Sequence, residues 1–186
     1  MLAAVLGGSA IAFSAVFVRL SGASPATAAV FRCGYAVPFL LVLARLEDRR
    51  FGPRPARARR LALAAGVLFA ADLVSWHYAI GAVGAGLATV LANLQVVVVA
   101  LAAWAALGER PDPGLAVAIP VALAGVVLIS GVLEERAYGE DPALGVVFGV
   151  VTAVSYAGFL LLLRQGGSDL RRPAGPLADA TAVATV

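Results

Sequence analysis

Asp72, Ser75, Trp76 and His77 stand within eight residues of the end of a long apolar run, where polar chemistry is expensive. An ionisable or strongly polar side chain inside hydrocarbon needs a partner, a water-filled cavity or a function. A carboxylate such as Asp72 could hold a proton or a cationic group. Ser75 and Trp76 follow it at i+3 and i+4, so on a helix they share its face. His77 is five positions on and points elsewhere. With Trp76 and Tyr78 it fits an interfacial aromatic belt better than a proton relay. In the next apolar run Gly86, Thr89 and Asn93 fall at i, i+3 and i+7, one narrow polar stripe. Gln95 faces nearly the opposite way, so Asn93 is the expected pathway residue and Gln95 a candidate for bonding a neighbouring helix. Arg32 lies in an earlier run, and Ser14 in the first.

Depth relates these residues. A helix rises about 1.5 Å per residue, which puts Arg32 and Asp72 each roughly 12 Å from the same membrane edge. Two readings follow. They form a structural ion pair locking two helices, or they are charged walls of a cavity; the remaining alternative is that they do not meet. Ser14 sits near the same level. Ser155 and Tyr156, further on, are of the type that usually bonds neighbouring backbone. The candidate substrate-binding set is Ser14, Arg32, Asp72, Ser75, Trp76, Thr89, Asn93 and Gln95.

Enzyme signatures are missing. The sequence holds no HExxH, GxSxG or Walker-type loop and no paired-acid spacing. One His and one Cys give a metal site or a nucleophile pair little to work with. No catalytic residue, metal or cofactor is expected.

The elements that carry these residues are apolar helices. The 186 residues are 61% hydrophobic and 13% charged, with mean hydropathy +0.94. A soluble domain is nearer 45–50% apolar and about 25% charged. A bilayer core of about 30 Å takes about 20 apolar residues as helix. That ruler gives spans at Leu2–Leu20, Ser24–Ala44, Leu61–Ile80, Val83–Leu107, Gly114–Leu133 and Ala143–Leu163, with a seventh starting near Leu177. Short connections make successive helices antiparallel neighbours. The fold class is therefore an all-α polytopic membrane protein, an antiparallel transmembrane helix bundle of about six full spans plus a truncated seventh. Gly145 and Gly149, at GxxxG spacing, suit close helix packing, and Pro38 and Pro120 invite kinks. The stretch from Asp72 to Pro111 reads as a helical hairpin turning near Gly81–Gly84.

All 14 basic residues are Arg, and seven of them lie between Arg45 and Arg60. Arg-rich short loops stay in the cytoplasm. The alternate loops are uncharged or, at Glu134–Asp141, mostly acidic. The N-terminus is thus expected in the cytoplasm. The arginines cluster between apolar segments rather than along one face, which argues against nucleic acid as a partner. The expected partners are the lipid bilayer and a small-molecule substrate.

Several ordered stretches carry a family resemblance. They are AFSAVFVRLSGASPATAAVFRCGYAVPFLL, then ANLQVVVVALAAWAALGERP, then LAGVVLISG. In that order they resemble the EamA-type family of the drug/metabolite transporter superfamily. The resemblance implies two five-helix halves of inverted topology, with residues 1–133 as the first repeat and 134–186 as the start of the second. By that measure the chain looks truncated and is not expected to complete a transport cycle unless a C-terminal half or a second copy supplies the rest. Val96 departs from the family, which often has Pro there, so a kink must be lost or made otherwise. The implied function is an integral membrane secondary transporter of small metabolites, often an exporter, in the plasma or inner membrane. The alternative is a non-transporting membrane assembly partner or inactive fragment.

Overall fold

The computed structural model describes residues 22, 24–108, 112–129, 141–167, 169 and 171–185. The predicted span Leu2–Leu20 with Ser14, the turn at Glu109–Pro111 and most of the acidic loop before Asp141 lie outside these residues. Among the described residues the chain is helical and has no strand. The helices are α1 (Pro25–Phe51), α2 (Ala56–Ala92), α3 (Gln95–Leu107), α4 (Pro113–Ile129), α5 (Pro142–Gly166) and α6 (Ala174–Val183).

Three of them start the same way. Ser24, Asp112 and Asp141 each precede a proline and accept a hydrogen bond from a backbone N–H two or three residues on, at 3.3, 2.7 and 3.0 Å. A short polar cap satisfies an otherwise orphaned amide, and proline at the first helical position gives up nothing because its missing N–H would be unpaired. α2 is different: Pro55 precedes it and no side chain caps it. α6 also opens after a proline, Pro173, but Glu47 reaches across from α1 and accepts from the amides of Ala174 and Gly175 at 2.9 Å each.

α2 is 37 residues long and is not one straight rod. At Gly84 the backbone takes φ 81° and ψ 161°, a conformation that side-chain-bearing residues avoid. The packing of α5 shows what this does. From its N-terminal end, Gly145 meets Val83 and Gly149 meets Leu91. Thr152 bonds Asp72. Gly158 then meets Leu68, and Gly166 meets Ala58 and Leu61. The limb before Gly84 runs antiparallel to α5, and the limb after it runs alongside. The chain therefore reverses at Gly84, inside the region expected to turn.

The second limb continues into α3 through a tightened segment. Leu94 N–H bonds Leu91 O, Val96 N–H bonds Asn93 O and Val97 N–H bonds Leu94 O, at 3.0 to 3.1 Å. These i→i−3 bonds are of the 3₁₀ type. A break thus occurs next to Val96 without the proline.

Among the described residues three stretches are long and apolar enough to cross a membrane by length and composition: Ala56–Gly84, Gly86–Ala105 and Pro142–Gly166. α1 is helical across its predicted span, α4 is helical through Ile129 of its own, and α6 covers the start of the last. The radial pattern is that of a helix bundle in lipid. α5 buries Gly145, Gly149, Thr152, Ala153, Ser155 and Ala157 and turns Val147, Val150, Val151 and Val154 outward. On α1 the exposed residues Phe31, Tyr35, Phe39 and Val42 form one outer stripe. Small residues inside and large apolar ones outside invert the soluble arrangement and suit helices that meet through close backbone approach.

α6 is wedged against both α1 and α2. Ala180 and Val183 lie over Gly66, and Thr185 lies over Gly34. At the arginine-rich end charged contacts tie the same elements. Arg54 pairs with Asp179 at 2.9 Å, and Arg172 pairs with Asp48 at 2.6 Å while also donating to Gly52 O.

Candidate functional site

A hollow of about 450 Å³ opens between α1, both limbs of the hairpin, α5 and α6. Cavities of this size hold small ligands. α2 contributes Phe69, Asp72 and Trp76 from its first limb and Thr89 from its second. Gln95 enters from α3, Arg32 from α1, Thr152 and Tyr156 from α5, and Thr181 from α6.

Asp72 is 6% exposed. It is held in place by its backbone, whose carbonyl oxygen accepts from the Thr152 hydroxyl at 3.4 Å. Burial of that turn follows from the small residues around it on α5, which bring the two helices together. Arg32 lies on the opposite wall and is exposed to the hollow. Its guanidinium carbon is 5.7 Å from the centre of the Trp76 ring, within cation–π range. Among the described ion pairs none joins Arg32 to Asp72. Both residues line the hollow. The aromatic floor is a stacked pair, Phe69 and Phe159, with ring centres 4.8 Å apart, and Tyr156 lies 5.4 Å from Phe159.

Five of the eight candidate residues thus line one hollow: Arg32, Asp72, Trp76, Thr89 and Gln95. Ser75 is buried but is not in the wall. Asn93 and Gln95 exchange the places expected of them. Asn93 borders a separate, apolar groove of about 410 Å³ between this helix and α4. The hollow takes the Thr89, Ala92 and Gln95 stripe rather than the Gly86, Thr89 and Asn93 stripe, and the 3₁₀ bonds add only about 40° to the phase of Gln95. Ser14 lies outside the described residues.

His77 also differs from expectation. It is buried, its Nδ1–H donates to Leu73 O at 2.5 Å, and its ring stands edge-on to Trp76 at 5.2 Å. Tyr78 takes the outward position instead and stacks on Phe148. The i→i−4 bond gives Nδ1 a partner inside its own helix, while Nε2 is buried without a hydrogen-bond partner.

Residues missed in the sequence are Thr152, Thr181 and the two phenylalanines, while Tyr156, read there as a backbone-bonding hydroxyl, lines the hollow. Thr152 and Tyr156 lie four apart, and Thr152 is the polar member of a small-residue face. That spacing was the available signal. Nothing local marks Thr181, which arrives through the packing of α6.

The hollow offers an acid, a guanidinium, aromatic faces and several hydroxyl and amide groups. Such walls hold a small polar or charged solute by hydrogen bonds and ring contacts. Among the described residues no cluster of three or more His, Cys, Asp or Glu could hold a metal. The profile of the EamA-like transporter family matches residues 1–131. No curated protein and no solved structure matches the chain. With that profile covering well over half of the chain, apolar helices of membrane length and a polar hollow between them, this protein belongs to the EamA-like transporter family.

Proposed function

We propose that the chain acts as a secondary carrier of small metabolites and that the Arg32–Asp72 hollow is its solute site. The observation that carries this reading is the convergence of Arg32, Asp72, Trp76, Thr89 and Gln95, drawn from three helices, on one cavity between membrane-length helices. Solute sites of secondary carriers lie at such depth between packed helices, and alternating access moves the walls around them. The Arg-rich and acidic loops support an N-terminus and an Arg45–Arg60 segment on the cytoplasmic side of a plasma or inner membrane. The family favours export. The end of the family match at residue 131 supports reading 1–133 as one repeat, with 134–186 belonging to a second, inverted one.

The sequence has two tryptophans, and Trp104 is exposed on α3. In a Trp104→Phe background, emission therefore reports on Trp76 in the wall. A panel of amino acids, amines and small organic acids is titrated against the protein in lipid nanodiscs. At least one should give a saturable emission change, weakened about tenfold or more by Asp72→Asn or Arg32→Gln, since hydrogen bonds to charged groups contribute about 1.5–3 kcal/mol. A change that survives both substitutions, or none across the panel, refutes the site.

A further inference from the structure

At the arginine-rich end a second hollow, of about 550 Å³, lies between the start of α2, the end of α5 and the chain leading into α6. None of its lining residues is shared with the solute cavity. Arg54, Arg57 and Arg172 line it. The Arg54 and Arg172 side chains are each 10% exposed. Each makes an ion pair through one nitrogen, yet Arg54 Nε and Nη1 and Arg172 Nε are buried with no hydrogen-bond partner. Buried donors are almost always satisfied, and each exception calls for a missing acceptor. Arg57 is exposed.

The start of α2 forms part of the same wall, through Pro55, Arg57 and Ala58. It is the helix N-terminus with no side-chain cap, and its first amides point out of the helix end. An uncapped helix N-terminus offers N–H groups and the positive end of the macrodipole, a natural seat for an anion. The carboxylate in the wall, Asp169, is already engaged. Arg171 donates to both of its oxygens at 2.9 and 3.1 Å, and those bonds hold its carboxyl below the usual range. The wall is left with a surplus of N–H donors and positive charge.

We propose that this hollow binds a phosphate-type oxyanion, held by Arg57, the guanidinium groups of Arg54 and Arg172 in its wall, and the amides at the uncapped start of α2. Guanidinium forks and helix amides both match tetrahedral oxyanions, because several donors can reach different oxygens at once. The anion is either the phosphate of an anionic phospholipid headgroup or free phosphate in solution.

The test uses the purified full chain in nanodiscs. In phosphatidylcholine discs, the melting temperature is followed as inorganic phosphate is added. In parallel, discs containing phosphatidylglycerol are compared with phosphatidylcholine discs in phosphate-free buffer. Two variants accompany the wild type. Arg57→Gln removes an exposed cation, and Pro55→Asp supplies a carboxylate cap that competes for the amides. A rise with inorganic phosphate identifies the free ion. A rise only with phosphatidylglycerol identifies the headgroup. In either case both variants should weaken the response, with half-saturation about tenfold higher in Arg57→Gln. No rise in the wild type in either arm overturns the proposal, as does an undiminished response in either variant.

Discussion

At Gly66 in α2, an added methyl would lie 2.6 Å from the Ala180 carbonyl oxygen and 2.6 Å from Val183 Cβ. Ordinary contact is about 3.5–4.0 Å, so Gly66→Ala must push α6 away by about 1 Å. The obstructing groups are backbone and a Cβ, neither of which can swing aside. Overpacking a tight site costs about 1–3 kcal/mol, and an immovable neighbour puts this site at the upper end. Alanine returns about 1 kcal/mol through its better helix propensity. A net loss of about 2 kcal/mol is expected, equivalent to a melting temperature about 4–8 °C lower for a chain of this size. Two other glycines serve as controls. At Gly158 the methyl would also come within 2.6 Å of an atom, but that atom is Leu68 Cδ1, the tip of a flexible side chain. A rotamer change relieves it, and Gly158→Ala should be close to neutral. At Gly125 nothing lies within 4 Å, so Gly125→Ala should stabilise by up to about 1 kcal/mol. Melting of the four proteins in one detergent, followed by tryptophan emission or light scattering, gives the order directly. If Gly66→Ala melts at or above the wild type, or if Gly158→Ala is the worse of the two, α6 does not sit on α2 as described.

Glu47→Gln should cost about 2 kcal/mol, because one of two charge-assisted bonds to the start of α6 is replaced by an amide facing an amide; an unchanged melting temperature would show that the carboxylate does not cap α6. Gln95→Ala should weaken solute binding read at Trp76 about tenfold, and Asn93→Ala less than twofold; the reverse order would place Asn93 in the cavity wall. In a double-mutant cycle of Arg32→Gln and Asp72→Asn, coupling in thermal stability should stay below about 1 kcal/mol, whereas recovery of 3–5 kcal/mol in the double variant is the behaviour of a direct buried pair. For orientation, single cysteines at positions 57 and 138 on a Cys33→Ser background should react with an impermeant thiol reagent from outside the cell at 138 and not at 57; the opposite result reverses the topology.

Much of this could be read without a structure, because hydrocarbon imposes strong rules on sequence. Runs of about 20 apolar residues must be helices, and the hairpin at Asp72–Pro111 with its turn near Gly84 followed from two such runs and a glycine-rich joint. Rarity of polar residues in the spans singled out Arg32, Asp72, Trp76, Thr89 and Gln95, and depth counting put the two charges at one level.

Phase and neighbours lay beyond that reach. A helical wheel groups residues but does not say which stripe a neighbour covers, and the hollow takes Thr89, Ala92 and Gln95 rather than the stripe with Asn93. Equal depth does not fix lateral separation, so only packing could decide that Arg32 rests on Trp76 instead of pairing with Asp72. His77 is buried with Nδ1 bonded to a backbone carbonyl one turn back. Thr181, Glu47 and the unpartnered guanidinium nitrogens of Arg54 and Arg172 became visible only when α6 docked, since contacts across more than 100 residues leave no local pattern. The sequence determined which segments are helical and which side chains are too costly to be idle. Tertiary packing decided which of those side chains meet, because rotation about each helix axis is set by the neighbours and not by the helix itself.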